Sequence, residues 1–240
     1  MSLRIACDLD GTLADMESAL EVEAERLFGP DVDLRGSLRG RPEGPASAES
    51  PDPTGSSPGM RPVRPASSGT RLSDRQQRQL WARVRGIENF WASLKEIEPG
   101  AVARLARAAA DHRWDVLFIT TRPSCAGQTT QLQSQRWLQA HGFELPSVFV
   151  VSGSRGRIAS ALALDAVLDD RPENCLDVAT DSSAKPFLVW RDEPHTVPQG
   201  ASRLGIKVVL SIAEALQHLE TPRASGTRGL IGRVRAALGV

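Results

Sequence analysis

Six short apolar segments, each followed at once by a polar or charged side chain, set the architecture of this chain. Residues 3–7, 115–120, 148–151, 166–168, 187–190 and 207–210 are rich in Val, Ile, Leu, Phe and Ala. Runs this short and this apolar read as buried strands. Between them lie helical stretches over 128–140 and 158–164, another starting near Pro172, and a last one capped by Ser211 and Glu214. In that last stretch Ile212, Ala215, Leu216 and Leu219 share one face. Upstream, an acidic helical stretch covers about 15–28, and Ser73 with Gln76 makes a capping box for a helix running through Leu80, Trp81 and Val84. Pro99-Gly100 then breaks the chain before an alanine-rich helix over 102–110. Strands alternating with helices imply βαβ units. The expected class is α/β, a Rossmann-like parallel sheet with helices on both faces.

Residues 36–70 depart from this pattern. Twenty of those 35 positions are Gly, Pro or Ser, too little apolar surface to offset the entropy of ordering a backbone, so a flexible loop is expected there. The chain carries 29 basic and 29 acidic residues, a balance that argues against a protein gripping nucleic acid through its phosphates. No apolar run approaches the roughly 18 residues of a membrane span, and the first eight residues turn acidic too early for a secretory signal. Cys7, Cys125 and Cys175 are far apart and odd in number, which excludes a disulfide framework and fits a reducing cytoplasm. Only Lys95, Lys185 and Lys207 are lysines; the other basic residues are arginines.

Ligands of open α/β sheets bind beyond the carboxyl ends of the strands, so the residues at those ends matter most. The first strand is followed by Asp8 and Asp10, the second ends at Thr120, Thr121 and Arg122, the third leads into Ser152, Gly153, Ser154 and Arg155, and the fourth into Asp169 and Asp170. Asp8 and Asp10, two residues apart at a strand end, can address one ligand, and Gly11 permits a sharp turn behind them. Crowded carboxylates call for a hard divalent cation, and oxygen ligands with room for water and phosphate suit Mg²⁺. Thr120 and a nearby arginine would hold phosphate oxygens. The expected chemistry is phosphoryl transfer.

These motifs resemble those of the haloacid dehalogenase (HAD) superfamily. Asp8-x-Asp10-Gly11-Thr12 is similar to its first motif, Ile119-Thr120-Thr121-Arg122-Pro123 to its second, and Leu168-Asp169-Asp170-Arg171-Pro172-Glu173-Asn174 to its fourth. The resemblance implies a nucleophile at Asp8, a general acid and base at Asp10, and phosphate binding by Thr120 and Thr121. It further implies Mg²⁺ held by Asp8, Asp10 (through its backbone carbonyl) and one of Asp169 or Asp170. A carboxylate at Asp10 favours a phosphatase over a dehalogenase. The third motif departs from the family: its usual lysine is absent, and by spacing Arg155 takes that place, with Arg157 second. The resemblance divides the chain into a catalytic core (1–15 and 99–220), a helical cap inserted after the first strand (16–98, with the loop inside it) and a tail (221–240). Residues 88–94 and 98–101 resemble the 5'(3')-deoxyribonucleotidase branch, where aromatic cap residues enclose the base; Phe90 and Trp91 are the candidates here.

The implied activity is a Mg²⁺-dependent phosphomonoesterase acting on a small phosphate ester, a nucleoside or deoxynucleoside monophosphate among the candidates. No nucleic acid polymer or membrane partner is expected, and the oligomeric state is left open. The alternative is a catalytically weak or inactive binding or regulatory module of the same fold, which the arginine in the third motif permits. Residues 152–156 also approach a GxSxG elbow with Asp170 and His195 following in hydrolase order, although the first glycine is missing and Asp8 and Asp10 go unexplained. The glutamines at 128, 131, 133, 135 and 139 read as a solvated helix face.

Overall fold

A computed structural model of the chain describes residues 2–30, 32–34, 70–198 and 200–221. The loop expected over 36–70 lies outside the described residues except for Thr70, and the tail over 221–240 except for Thr221. The described strands are β1 (Arg4–Asp8), β2 (Val32–Asp33), β3 (Thr70–Arg71), β4 (Asp115–Thr120), β5 (Ser147–Val150), β6 (Ala166–Asp169), β7 (Lys185–Val189) and β8 (Lys207–Val209). The α-helices are α1 (Met16–Phe28), α2 (Asp74–Arg85), α3 (Ala101–His112), α4 (Thr130–Ala140), α5 (Arg155–Ala161), α6 (Pro172–Asp181) and α7 (Ile212–Glu220).

The six expected strands form one sheet in the order β5-β4-β1-β6-β7-β8, and every pairing in it is parallel. Taken in chain order this is 3-2-1-4-5-6, the doubly wound Rossmann arrangement, whose order reverses beside the first strand. The reversal leaves a crevice at the carboxyl ends of β1 and β6, which pair directly through Ile5–Ala166, Ala6–Val167 and Cys7–Leu168.

The faces separate as the strand period demands. Ile5, Cys7, Phe118, Val148, Leu168 and Val209 pack with Leu105 of α3, Trp137 and Leu138 of α4 and Ala215 of α7. Ala6, Ile119 and Val167 pack with Ala159 of α5 and Val178 of α6 on the other side. Burying such side chains contributes about 1.5–3 kcal/mol each. The helix starts follow local chemistry: Ser73 and Gln76 form the expected reciprocal box on α2, Ser211 accepts from the Glu214 amide, and Pro172 occupies the first turn of α6.

One boundary and one helix face differ from expectation. The helix expected over 158–164 begins at Arg155, because Ser154 caps it by accepting from the Arg157 amide. The glutamine face is not wholly solvated. Gln133 is fully buried, accepting from the Trp91 amide at 3.1 Å and donating to the Gln128 carbonyl at 2.5 Å.

Residues 16–94 leave the sheet after β1 and return before α3, and the outgoing and incoming strands of chain are tied together. The Asp15 amide donates to the Lys95 carbonyl at 2.8 Å and the Ile97 amide to the Leu13 carbonyl at 2.9 Å. Above this junction Leu20 and Ala24 of α1 and Leu80 and Val84 of α2 join the main core cluster. Between those helices the buried Glu23 takes ion pairs from Arg26 and Arg83. Among the described residues, no helix is long and apolar enough to cross a membrane.

Candidate active site

Asp8 ends β1 nearly buried, at 9% exposure. The chain must then turn sharply, and Gly11 does so at φ 84°, a region that disfavours any side chain. Space forbids one as well: a Cβ on Gly11 would lie 2.2 Å from Oδ2 of Asp170. Asp170 therefore rests directly on the turn, and the Thr12 hydroxyl donates to its Oδ1 at 3.1 Å. From the far side Arg191, just beyond β7, donates to the carbonyls of Gly11 and Thr12 at 2.8 and 2.9 Å.

Asp169 and Asp170 sit side by side yet are held differently. Asp169 is fully buried, and both of its oxygens are engaged: the Arg171 amide donates to Oδ1 at 2.9 Å, and the Asn174 amide group reaches both oxygens at 3.1 and 2.9 Å. Asp170 has the Thr12 hydroxyl on one oxygen, and its other oxygen lies over Gly11. Of the pair, Asp170 keeps more capacity to bind a ligand.

Arg155, the first residue of α5, reaches across to this group. Its Nη2 donates to Oδ1 of Asp8 at 3.1 Å, and its Nε lies 3.8 Å from Oδ2 of Asp169. The side chain is 4% exposed, and Nε and Nη1 have no hydrogen-bond partner. A buried guanidinium with two unsatisfied nitrogens is expensive to maintain. One arginine does not balance three carboxylates. Burial, followed by the neighbouring Asp169, pushes the Asp8 carboxyl well above its usual range. Burial also raises Asp169, against the pull of Arg155. Asp170 is pushed up to about 7 by burial and by Asp169.

Asp10 stands beside these three, but its carboxylate is paired elsewhere. Arg122 donates from Nε at 2.9 and 2.8 Å to the two oxygens and from Nη2 at 2.6 Å to Oδ1, and the Thr120 hydroxyl donates to Oδ2 at 3.2 Å. Of the four carboxylates expected at this edge of the sheet, Asp10 is the one whose charge Arg122 takes up. Among the described residues, no three His, Cys, Asp or Glu side chains gather as a metal cluster would require.

The other expected site residues divide. Thr120 is buried with its hydroxyl on Asp10, and Thr121 follows it half-buried at the end of β4. Arg157 is exposed, so of the two arginines only Arg155 reaches the carboxylates. Phe90 and Trp91 are interior residues, at 4% and 0% exposure. Neither ring offers a face on which a base could stack. Ser154 is a helix cap whose hydroxyl donates to Asp177 at 3.0 Å, and His195 is exposed, which removes the basis for a serine elbow. Arg122, Arg191 and Asn174 are site residues that sequence reasoning passed over as roles, although Arg122 and Asn174 stood inside the quoted motifs.

No family model and no curated protein matches the sequence. Solved structures do match. A protein assigned as a beta-phosphoglucomutase from Thermotoga maritima superposes with a TM-score of 0.52 at 17% identity, over 90% of this chain and 98% of its own. A HAD family hydrolase from Deinococcus radiodurans R1, solved with bound phosphate and sodium, gives 0.51 at 16% identity, over 91% of this chain and 95% of its own. The chain shares the α/β Rossmann-like fold of these two proteins. At these identities the likeness speaks for the fold alone.

Proposed function

We propose that this chain is a Mg²⁺-dependent phosphomonoesterase that works through an aspartyl-phosphate on Asp8. The observation that carries the reading is the buried Arg155 guanidinium, bonded to Asp8 with Nε and Nη1 unsatisfied. Donors left open beside a nucleophilic carboxylate suit the oxygens of a phosphoryl group.

In the first step an Asp8 oxygen attacks phosphorus as the bond to the leaving oxygen breaks, and the Asp10 carboxyl gives that oxygen its proton. In the second, water attacks the phosphorus of the aspartyl-phosphate and passes a proton to the Asp10 carboxylate, the bond to Asp8 breaks, and phosphate leaves. Arg155 holds Asp8 and the equatorial oxygens. Thr120 and Thr121 supply hydroxyls to the phosphate, Thr120 by exchanging its bond to Asp10.

The residues present fit a magnesium ion of limited protein ligation. Burial and crowding make ionised Asp8 and Asp170 costly without a counter-cation, while the carboxylates of Asp10 and Asp169 are occupied by other donors. Mg²⁺ is bound through one or two carboxylates with water and phosphate completing its shell. Asp8, Asp170 and the Asp10 backbone carbonyl would hold it, and when bound it supplies positive charge against the phosphoryl oxygens. Residues 16–98 would form the cap, a role supported by the tied junction at 13–15 and 95–97 and by the packed α1 and α2. The substrate class is a small phosphate monoester; with Phe90 and Trp91 interior, the nucleotide expectation rests on sequence resemblance alone.

The test is phosphate release from p-nitrophenyl phosphate and a panel of nucleoside and sugar monophosphates, with and without Mg²⁺, beside Asp8→Asn. Metal-stimulated release abolished by Asp8→Asn is the expected result. Release that persists in the variant would remove Asp8 as nucleophile, and no release from any compound would favour the binding-module alternative.

A further inference from the structure

Arg122 has no part in the steps above, yet it is the most completely buried cation near the site. Its side chain is 0% exposed, and each outer nitrogen is committed. Nε and Nη2 fork onto Asp10, while Nη1 donates to the Ser134 hydroxyl at 2.9 Å. The guanidinium carbon lies 5.0 Å from the centre of the Trp91 ring, covering one face of the cation.

Trp91 is itself fastened from several directions. Its indole N–H donates to the Pro123 carbonyl at 2.9 Å and its backbone amide to Gln133 at 3.1 Å. Two residues earlier, the Asn89 amide donates to the Ala126 carbonyl at 2.8 Å and its side-chain oxygen accepts from the Gln128 amide at 2.9 Å. Residues 89–91 are thus riveted to the loop that follows β4. An arginine this enclosed has one orientation open to it, and the fork is planar. It dictates the plane of the Asp10 carboxylate. Oδ1 receives two bonds from the fork, whereas Oδ2 shares Nε–H and otherwise depends on Thr120. Oδ2 is the oxygen that a substrate can win by drawing the Thr120 hydroxyl away.

From this geometry we infer that Arg122 is the positioning residue for Asp10, braced by Ser134 and Trp91, and that it aims Oδ2 at the leaving oxygen. The inference rests on the proposed phosphatase reading, in which Asp10 protonates that oxygen. It predicts an effect that general loss of packing would not produce. Proton donation matters for a poor leaving group such as an alkoxide and matters little for a good one such as 2,4-dinitrophenolate. Damage to the aim of Asp10 must therefore grow with the basicity of the leaving group.

The experiment compares wild type, Arg122→Lys, Ser134→Ala, Asp10→Asn and the double variant Arg122→Lys/Asp10→Asn. The readout is kcat/KM, which reports phosphoryl transfer to Asp8, on alkyl, phenyl and dinitrophenyl phosphates, with thermal unfolding run beside it. Arg122→Lys is expected to lose roughly 100-fold on an alkyl phosphate and less than about 5-fold on the dinitrophenyl ester, within the range of general acid catalysis. Ser134→Ala, which leaves the ion pair intact, is expected to show a weaker form of the same slope. The double variant is expected to lose little beyond Asp10→Asn, as coupled residues do. An even loss across leaving groups, or a double variant whose losses multiply, would overturn the inference while leaving the phosphatase reading in place. If Arg122→Lys does not fold, Ser134→Ala decides alone, and a flat profile there refutes the role. A wild-type protein inactive on every ester would overturn both.

Discussion

Gly156 is the position at which a single methyl group tests whether packing between two helices sets the chemistry. It is the second residue of α5 and lies against α6, and a Cβ there would meet the backbone carbonyl oxygen of Asp177 at 2.2 Å and Cβ of Asp181 at 2.6 Å. The Gly156 amide also donates to Oδ2 of Asp177 at 3.0 Å. The obstacle is backbone, so it cannot swing aside. Raising 2.2 Å to an ordinary contact above 3.0 Å requires α5 to move away by about 1 Å. Overpacking of this kind costs about 1–3 kcal/mol, and the helix preference for alanine over glycine offsets up to about 1 kcal/mol of it. Gly156→Ala should therefore lower stability by about 1–2 kcal/mol, or roughly 2–8 °C in Tm for a chain of this size. Arg155 is the preceding residue, and the same displacement would stretch its 3.1 Å bond to Asp8 beyond hydrogen-bonding distance. A misplacement of 1 Å at a reacting group can reduce rate about 100-fold. Thermal unfolding and kcat/KM on the best ester of the panel measure the two effects together. A variant as stable as wild type with undiminished kcat/KM would refute both the close approach of α5 to α6 and its link to Arg155.

Three further outcomes are expected. Arg155→Met should reduce kcat/KM by about 100- to 1,000-fold, as loss of a charged transition-state donor does, whereas Arg155→Lys should recover most of it; equal losses in the two would mean that charge beside Asp8 is not what matters. Thr12→Val removes the hydroxyl that fixes Asp170 and should weaken Mg²⁺ activation by about 10-fold or more, seen in the metal dependence of kcat, with an unchanged metal midpoint arguing against Asp170 as ligand. The third concerns pH. Asp170 titrates near 7 in the folded chain and near its ordinary 3.8 when unfolded, so the folded state holds the proton more tightly. Stability of metal-free protein should then be fully present below about pH 4 and decline as pH rises toward 7, by at most about 4 kcal/mol. Added Mg²⁺ should therefore raise Tm much more at pH 7.5 than at pH 5, and equal shifts at the two would contradict the crowding of Asp8, Asp169 and Asp170.

The sheet was legible because each strand is a local apolar run, and the helix starts at Ser73 and Ser211 carry their own caps, whereas the cap at Ser154 was not read and the start of α5 was placed three residues late. Asp8, Asp169 and Asp170 were legible for a related reason, since a residue next to a strand end is placed by the strand itself. The pairing of Asp10 was not. It depends on Arg122, more than a hundred residues away, turning inward, and nothing local distinguishes a buried arginine from a solvated one. One available signal was overlooked. Thr130, Gln133, Ser134, Trp137 and Leu138 are the buried residues of α4 and follow the i, i+3, i+4, i+7, i+8 spacing of a helix core face. Reading backward from Trp137 puts Gln133 and Ser134 inside, and two buried polar groups there require polar partners, which Trp91 and Arg122 provide. The short pairing of β2 with β3 had no such signal.

Charge arithmetic explains why the proposed chemistry would need its metal before its substrate. Arg122 and Asp10 form a close ion pair, and of the carboxylates that push Asp8 up Asp10 contributes least. The rest of the pocket holds Asp8, Asp169 and Asp170 against the buried Arg155, with Arg171 and Arg191 acting on Asp169 and Asp170 from the rim. Asp8 and Asp170 are still pushed up, so negative charge remains in surplus when all three are ionised. A phosphate dianion approaching that surplus is repelled, and raising Asp170 toward neutrality relieves it only in part. A divalent cation offsets it, after which Nη1 of Arg155, unsatisfied beforehand, meets the incoming oxygens without opposition. Arginine in place of lysine suits this arrangement, because one planar group can bond Asp8 through Nη2, lie near Asp169 through Nε and still present Nη1. A lysine ammonium would have to choose among those partners. On this account Mg²⁺ and substrate bind with positive cooperativity, and an assay that varies both should find apparent KM for the ester falling as Mg²⁺ rises. A KM independent of Mg²⁺, with kcat alone responding, would place the metal's contribution after binding and refute the electrostatic ordering.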